Sequence, residues 1–111
     1  MKRGEAAEQK AAHYLETQGL HLVVRNYRCR HGEIDLIARD GLTLVFVEVR
    51  QRSRQDFGGA AASIDAHKQR KLVLAAQHYL AQQPRTPPCR FDAVLIGSEG
   101  VEWLKNAFDA W

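Results

Sequence analysis

Apolar residues recur at helical spacing in the first part of the chain. Within residues 4–18 the apolar positions fall three or four residues apart, at Ala7, Ala11, Ala12 and Leu15. This period places them on one face, so the segment is predicted to form an amphipathic helix. Gly19 follows directly and is expected to end that helix.

Alternating and continuous apolar runs predict strands in the middle of the chain. Strands are expected over 20–28, 33–39 and 42–51, with a two-residue turn at Asp40-Gly41 between the last two. The run Val45-Phe46-Val47 is apolar at every position, as in a strand that is covered on both faces.

A second helix and two further strands complete the predicted domain. The helix is expected to begin after Asp65, a favourable N-cap residue, and to run to Gln83. Its inner face comprises Leu72, Ala75, Ala76, Tyr79 and Leu80. A loop around Gly58-Gly59 is expected over 53–63, and strands over 91–97 and 101–108. This order predicts one α/β domain over residues 1–111, built around a mixed sheet.

Charged residues interrupt the predicted hairpin at positions that share one face. With the turn at Asp40-Gly41, Glu33 lies opposite Glu48, and Asp35 lies opposite Phe46. Side-chain alternation then places four charged residues on the same face: Glu33, Asp35, Glu48 and Arg50. Facing carboxylates destabilise a sheet, and a divalent ion with oxygen ligands supplies the compensating charge. The alternative is a surface lattice in which Arg50 and other arginines neutralise the acids.

Glu8 raises the same question in the first helix. It precedes Ala11, Ala12 and Leu15 by three, four and seven residues, which places it on the apolar face. An acid in that position is expected to be paired, protonated or close to a bound cation. Alternatively, Glu8 lies at the margin of the helix and reaches solvent.

The positive charge is unevenly distributed. The net charge is +3, which is too small to establish a nucleic-acid partner by itself. Basic residues flank the hairpin and the start of the second helix: Arg25, Arg28, Arg30, Arg50, Arg52, Arg54, Lys68, Arg70 and Lys71. These clusters are either a nucleic-acid surface or ordinary solvated charge.

Several classes of protein lack support in the sequence. No apolar run approaches 18 residues, so no membrane association is expected, and the N-terminus has no apolar signal-peptide core. We therefore expect a cytoplasmic protein, in which Cys29 and Cys89 are free thiols. The sequence contains no glycine-rich phosphate-binding loop, so no small-molecule cofactor is expected.

The motifs resemble those of a known family. The segments "RGEAAEQKAAHYLETQGL", "GEIDLIARDGLTLVFVEVR", "HKQRKLVLAAQHYL" and "RFDAVLI" together resemble the YraN family of small bacterial proteins. That family is similar to the archaeal Holliday-junction resolvases, within the restriction-endonuclease-like superfamily and its motif PD-(D/E)xK. The resemblance implies a mixed β-sheet flanked by helices.

The resemblance also implies roles for individual residues. Asp35 and Glu48 match the metal-binding acids for Mg²⁺ or Mn²⁺, and Glu8 matches the helix-one Glu of the resolvases. Glu33, two residues before the motif Asp, is characteristic of YraN-like sequences. Arg50 falls where the motif has its catalytic Lys, but an arginine stays protonated and cannot act as a general base.

Two alternatives follow for the missing lysine, and two for the function. In the first alternative, Arg50 binds the phosphate alone and Lys68 is a solvated helix residue. In the second, Lys68 reaches the site from the second helix. The resemblance implies a metal-dependent endonuclease acting on branched or structured DNA. It also implies a homodimer, for which the apolar segment "WLKNAFDAW" is the candidate interface. The alternative is a nucleic-acid-binding or scaffold protein that keeps the nuclease fold without efficient chemistry.

Overall fold

The protein is a five-stranded mixed sheet with two helices. A computed structural model describes residues 3–51 and 64–110. The elements are α1 (Arg3–Thr17), β1 (His21–Cys29), β2 (Gly32–Asp40), β3 (Thr43–Gln51), α2 (Ala66–Leu80), β4 (Cys89–Gly97) and β5 (Gly100–Phe108). The strand order is β1-β2-β3-β4-β5; β3 and β4 are parallel, and the other neighbours are antiparallel. This architecture is compatible with the restriction-endonuclease-like fold.

The two helices pack on two separate core clusters. The predicted face of α1 contributes Ala7, Ala11, Ala12 and Leu15 to one cluster, together with Val45 and Val47 of β3. The face of α2 contributes Leu72, Ala75 and Ala76 to the other cluster, together with Phe46. Neighbouring residues of β3 therefore enter different clusters, which confirms that this strand is covered on both faces.

Local capping explains where the helices begin and end. The N–H groups of Gly19 and Leu20 donate to the carbonyls of Glu16 and Leu15, at 3.1 Å each, and Gly19 has φ +96°. This is a Schellman motif, in which a glycine accepts the left-handed conformation without strain. The predicted N-cap of α2 is confirmed, since the Asp65 side chain accepts the Lys68 N–H at 2.8 Å.

The second helix is shorter than predicted. It ends at Leu80, and Gln82 and Gln83 donate to carbonyls three residues earlier. Such bonds form a tight turn rather than an α-helix, so the expected extension to Gln83 is wrong.

The β2–β3 turn lies one residue later than predicted. Asp40 pairs with Thr43, and the turn residues are Gly41, with φ +62°, and Leu42. Positive φ at the first of the two turn residues is typical of a type II′ turn, which favours glycine there. Asp40 belongs to the strand, and its Oδ2 accepts from Arg90 Nη2 at 2.9 Å.

This shift changes the register of the hairpin. Phe46 lies opposite Ile37, not Asp35, so the expected pairs of Asp35 with Phe46 and of Glu33 with Glu48 are wrong. The displacement equals two residues along one strand. An even displacement preserves the faces of regular strands. Ile34 and Ile37, however, pack in the same core cluster, so the alternation of β2 is interrupted beside Asp35. The alternation therefore no longer places Glu33 on the face of Glu48.

Some expectations fall outside the described residues. The loop predicted over 53–63, with Gly58-Gly59, lies there, as do Arg52 and Arg54. Neither helix in residues 3–51 and 64–110 is long and apolar enough to cross a membrane. Cys29 and Cys89 are both free thiols, as expected.

Candidate functional site

Side chains from α1, β2, β3 and α2 meet in one open cleft. The cleft has a volume of ≈ 350 Å³ and contains four charged groups in addition to Asp35: Glu8, Glu48, Arg50 and Lys68. Glu8 lies near the start of α1 and Lys68 near the start of α2. The two helices pack in different core clusters, so the cleft lies where both faces of the sheet can contribute side chains.

The Asp35 side chain lies in the cleft because the regular β2–β3 backbone hydrogen bonding ends next to it. The β2–β3 pairing runs from Asp40 opposite Thr43 to Leu36 opposite Val47. One residue further, Asp35 Oδ2 accepts the backbone N–H of Val49 at 2.8 Å. The carboxylate thus takes the place of a backbone acceptor and is held next to Glu48.

Glu48 is buried among charges of both signs. The residue is 5% exposed, and burial, followed by the hydrogen bond and the charge of Asp35, raises its pKa from 4.5 to about 8. Lys68 Nζ lies 3.2 Å from Glu48 Oε2 and acts against this increase, while Arg50 Nη2 lies 3.9 Å from the same oxygen. The nearby positive charge does not offset the cost of ionising Glu48.

Glu8 belongs to the same electrostatic group. Burial, followed by the charge of Asp35 and a hydrogen bond with it, raises the Glu8 pKa above its ordinary value. A hydrogen bond from Asn26 acts in the opposite direction, and Glu33 adds a small increase. Two carboxyl groups therefore favour protonation beside Asp35, as expected where acids lie close together without enough positive charge.

Another buried aspartate in the same chain shows the opposite environment. Asp92, 1% exposed, accepts from Arg90 Nε at 3.0 and 3.2 Å. It also accepts from Trp103 Nε1 and from the Asn106 N–H, at 2.9 Å each. Donors therefore satisfy Asp92 fully, whereas Asp35 and Glu48 face each other.

The donor set fits a divalent cation that retains other ligands. Among the described residues, no three His, Cys, Asp or Glu side chains form a group arranged to hold a metal ion. Mg²⁺ commonly uses only one or two carboxylates together with water and phosphate oxygens. Asp35 and Glu48 supply such a pair, and a bound cation would replace the proton that Glu48 otherwise retains.

Glu33 lies at the rim of this group. It forms an ion pair with Arg28 at 3.2 Å, and both side chains are more than half exposed. Glu33 is therefore a surface partner of Arg28 and reaches the cleft through its charge, as the Glu8 pKa shows.

The basic residues identified in the sequence separate into different surfaces. Arg25, Arg28 and Arg30 are exposed on β1 and in the turn after it. Lys71 lies against that turn, because a Cβ added to Gly32 would be 3.6 Å from the Lys71 Cβ. Arg70 instead lies beside Val73 and Phe108, in a different cleft from Lys68.

Some site residues were missed in the sequence. Asn26, with φ +54°, supports Glu8, and Asn106, with φ +53°, supports Asp92. Asparagine is depleted in strands and adopts left-handed backbone more readily than most residues. An asparagine inside each of the predicted strands 20–28 and 101–108 was therefore the available signal for both irregularities.

Comparison with known proteins agrees with the sequence motifs. The model of the family described as "Uncharacterised protein family UPF0102" matches residues 7–96. The UPF0102 protein of Dechloromonas aromatica is 64% identical over 108 residues, which cover 97% of this chain and 89% of that protein. The UPF0102 protein of Cupriavidus taiwanensis is 63% identical over 110 residues, covering 97% and 83%. This chain belongs to the UPF0102 family, which is the YraN family that its motifs resemble.

Proposed function

We propose that the protein is a metal-dependent endonuclease that hydrolyses phosphodiester bonds in branched or otherwise structured DNA. The observation that carries this proposal is the meeting of Glu8, Asp35 and Glu48 with Lys68 and Arg50 in one open cleft. This chemistry requires acidic side chains that hold a metal ion and basic side chains that bind a phosphate. Both are present at the same end of the sheet.

Asp35 and Glu48 are the residues that would hold Mg²⁺ or Mn²⁺. When bound, such an ion stabilises negative charge on the phosphate and lowers the pKa of a water molecule. The backbone N–H of Val49 orients the Asp35 carboxylate from one side. Glu8 borders the same group and assists through its carboxylate or through water.

Lys68 and Arg50 have separate roles in the proposal. Lys68 Nζ, 3.2 Å from Glu48 Oε2, is positioned to stabilise charge on the attacked phosphate or to orient the water. Arg50 presents a planar guanidinium that binds phosphate oxygens in pairs. The lysine that the motif usually provides from β3 would thus come from α2.

The proposed substrate class depends on the basic residues outside the cleft. Arg28, Arg30 and Lys71 lie near the β1–β2 turn and would contact the sugar–phosphate backbone. Binding through such contacts weakens as the salt concentration rises. The similarity of the family to junction resolvases supports branched DNA as the preferred form.

A second candidate function is binding or scaffolding without efficient hydrolysis. The contact of Lys68 Nζ with Glu48 Oε2 at 3.2 Å favours it, because this contact gives Glu48 a partner in the cleft without a metal. Arg50 in place of the motif lysine is equally consistent with it. The two functions differ in whether the carboxylates are needed for cleavage.

The distinguishing experiment is a cleavage assay on a four-way junction, a flap, a plain duplex and a single strand. Each substrate is incubated with Mg²⁺, Mn²⁺ or a chelator, using wild type, Asp35→Asn and Glu48→Gln. Glu16→Gln is the matched control, since Glu16 is an exposed acid elsewhere on α1. Metal-dependent cutting by wild type and Glu16→Gln alone supports the nuclease. Junction binding without cutting by folded wild type supports the scaffold, and equal cutting by every variant indicates a contaminant.

A further inference from the structure

Aromatic and histidine side chains form a group on the surface between α2 and β1. His31 and His78 meet with ring centroids 6.2 Å apart at 64°, and Tyr27 lies 6.0 Å from His78. His78 is exposed, and Tyr27 and His31 are partly exposed. We call Tyr27, His31 and His78 the ring cluster.

Hydrogen bonds hold the ring cluster in place. The Tyr27 hydroxyl shares a hydrogen bond with His78 Nδ1 and accepts from Gln82 Nε2 at 2.8 Å. On the inner side, Tyr79 packs edge-on against Tyr27, with ring centroids 5.3 Å apart. The rings are thus fixed before any ligand arrives, which lowers the entropy cost of binding.

The ring cluster continues from the candidate active site along one face of α2. Residues 68, 71, 75 and 78 recur every three or four positions and therefore share a face of the helix. Lys68 contacts Glu48 at one end, and His78 lies ten residues further, about 15 Å along the axis. Lys71 lies between them, against the β1–β2 turn that carries Arg30 and His31.

This arrangement combines two features that bind unpaired nucleotides. Exposed rings stack on bases of any sequence, and interleaved cations contact the phosphates. A distance of about 15 Å corresponds to roughly four nucleotides at the ~3.4 Å spacing of one stacked strand. A fully paired duplex hides its base faces and could use only the cations.

We propose that the ring cluster and Lys71 bind a single-stranded segment that leaves the cleft along α2, so that the enzyme prefers substrates with an unpaired arm next to the cut. The inference rests on the proposed nuclease function for the identity of the cut site. The platform itself is defined by stacking and charge, which can be measured without cleavage.

The test is binding of a short fluorescent oligo-dT and of a flap substrate, measured by anisotropy in a chelator so that no cleavage occurs. We expect His31→Ala with His78→Ala to weaken oligo-dT binding at least about fivefold. The same variant loses the preference for the flap over a blunt duplex. His13→Ala, which replaces an exposed histidine on α1, is expected to bind like wild type.

The outcomes separate this inference from the nuclease proposal. Unchanged oligo-dT binding in the folded double variant, or no binding by wild type, overturns the platform whether or not the protein cuts DNA. Loss of binding in the double variant upholds the platform even if no cleavage is ever found. Equal loss with an oligo-rU probe extends the ligand to single-stranded RNA, and a selective loss limits it to DNA.

Discussion

At the residue scale, Glu48 is the group whose environment most clearly departs from that of a surface acid. Its side chain is buried beside Asp35, and a raised pKa is the result. The Lys68 ammonium at 3.2 Å opposes that shift but does not abolish it. Between pH 4.5 and about 8, the metal-free folded protein therefore favours a protonated Glu48, whereas the unfolded chain would release this proton.

The raised pKa makes the stability of the metal-free protein depend on pH. The folded state binds more protons than the unfolded state between the ordinary Glu value of 4.5 and about 8, so the free energy of unfolding falls as pH rises through this window. For one proton the slope is at most about 1.4 kcal/mol per pH unit. Glu8 acts in the same direction.

Replacing Glu48 by glutamine should remove most of this dependence. Urea unfolding of wild type and Glu48→Gln in a chelator, from pH 5 to 9, measures it. We expect the variant to be the more stable protein at the alkaline end. Parallel pH profiles for the two proteins would show that Glu48 does not hold the extra proton.

Lys68 and Arg50 can be separated by their effects on rate and binding. Lys68→Ala should reduce the single-turnover cleavage rate about 10²-fold or more, as for removal of one donor to developing charge, with a smaller effect on DNA affinity. Lys10→Ala, an exposed lysine on α1, provides the matched control. Normal cleavage by Lys68→Ala, with cleavage lost in Arg50→Ala, would assign the role to Arg50 alone.

The acids that line the cleft could be predicted from residue type, while their geometry could not. Alternation predicted one face for Glu33, Asp35, Glu48 and Arg50, but only the last three line the cleft. The position of Lys68 depended on how α2 packs against the sheet, which no local pattern encodes. The sequence therefore left Lys68 as one of two alternatives.

At the element scale, the two edge strands share one backbone irregularity. β1 contains Asn26 and β5 contains Asn106, both in left-handed backbone, and each lies close to a carboxylate of the core or cleft. The β4–β5 register shifts between Phe91 and Ala93, where Asp92 accepts the Asn106 N–H. Irregular edge strands thus supply polar groups to the sheet interior.

Asp92 should be a structural acid and not a site acid. Asp92→Ala leaves the Trp103 and Asn106 donors without their acceptor and removes one partner of Arg90, so we expect a loss of about 3 kcal/mol in unfolding free energy. Glu99→Ala, in the exposed β4–β5 turn, should change it by less than about 0.5 kcal/mol. A change below 1 kcal/mol for Asp92→Ala would contradict this assignment.

The turn between β2 and β3 shows how a local signal misleads. Asp40-Gly41 predicts a two-residue turn at those positions, yet Asp40 pairs with Thr43 and the turn residues are Gly41 and Leu42. The Asp40 side chain also accepts from Arg90, a contact between residues 50 positions apart that no local pattern encodes. The helices, whose periods and caps are local, were predicted to within a few residues.

At the scale of the whole molecule, the sheet separates two core clusters, and side chains from both of its faces line the cleft. α1 and α2 bury their apolar faces in different clusters, and each places a charged residue of its first turns beside Asp35 or Glu48. The cleft is therefore built from elements that are distant in sequence. A small shift of either helix relative to the sheet would displace the charged residue that this helix contributes to the cleft.

The apolar C-terminal segment contributes to this packing. Trp103 donates to Asp92, and Phe108 stacks on Phe91 with ring centroids 4.7 Å apart. The described part of "WLKNAFDAW" is therefore used largely within the chain. Dimerisation remains a prediction that needs an independent surface.

Thermal unfolding with and without Mn²⁺ tests the metal site most directly. A ligand that binds only the folded state stabilises it, by about 2.7 kcal/mol at a free concentration 100 times its Kd. We predict that Mn²⁺ raises the Tm of wild type and Glu16→Gln by several degrees, and leaves Asp35→Asn and Glu48→Gln unchanged. An unchanged wild-type Tm, or an equal rise in all four proteins, would contradict a divalent metal site at Asp35 and Glu48.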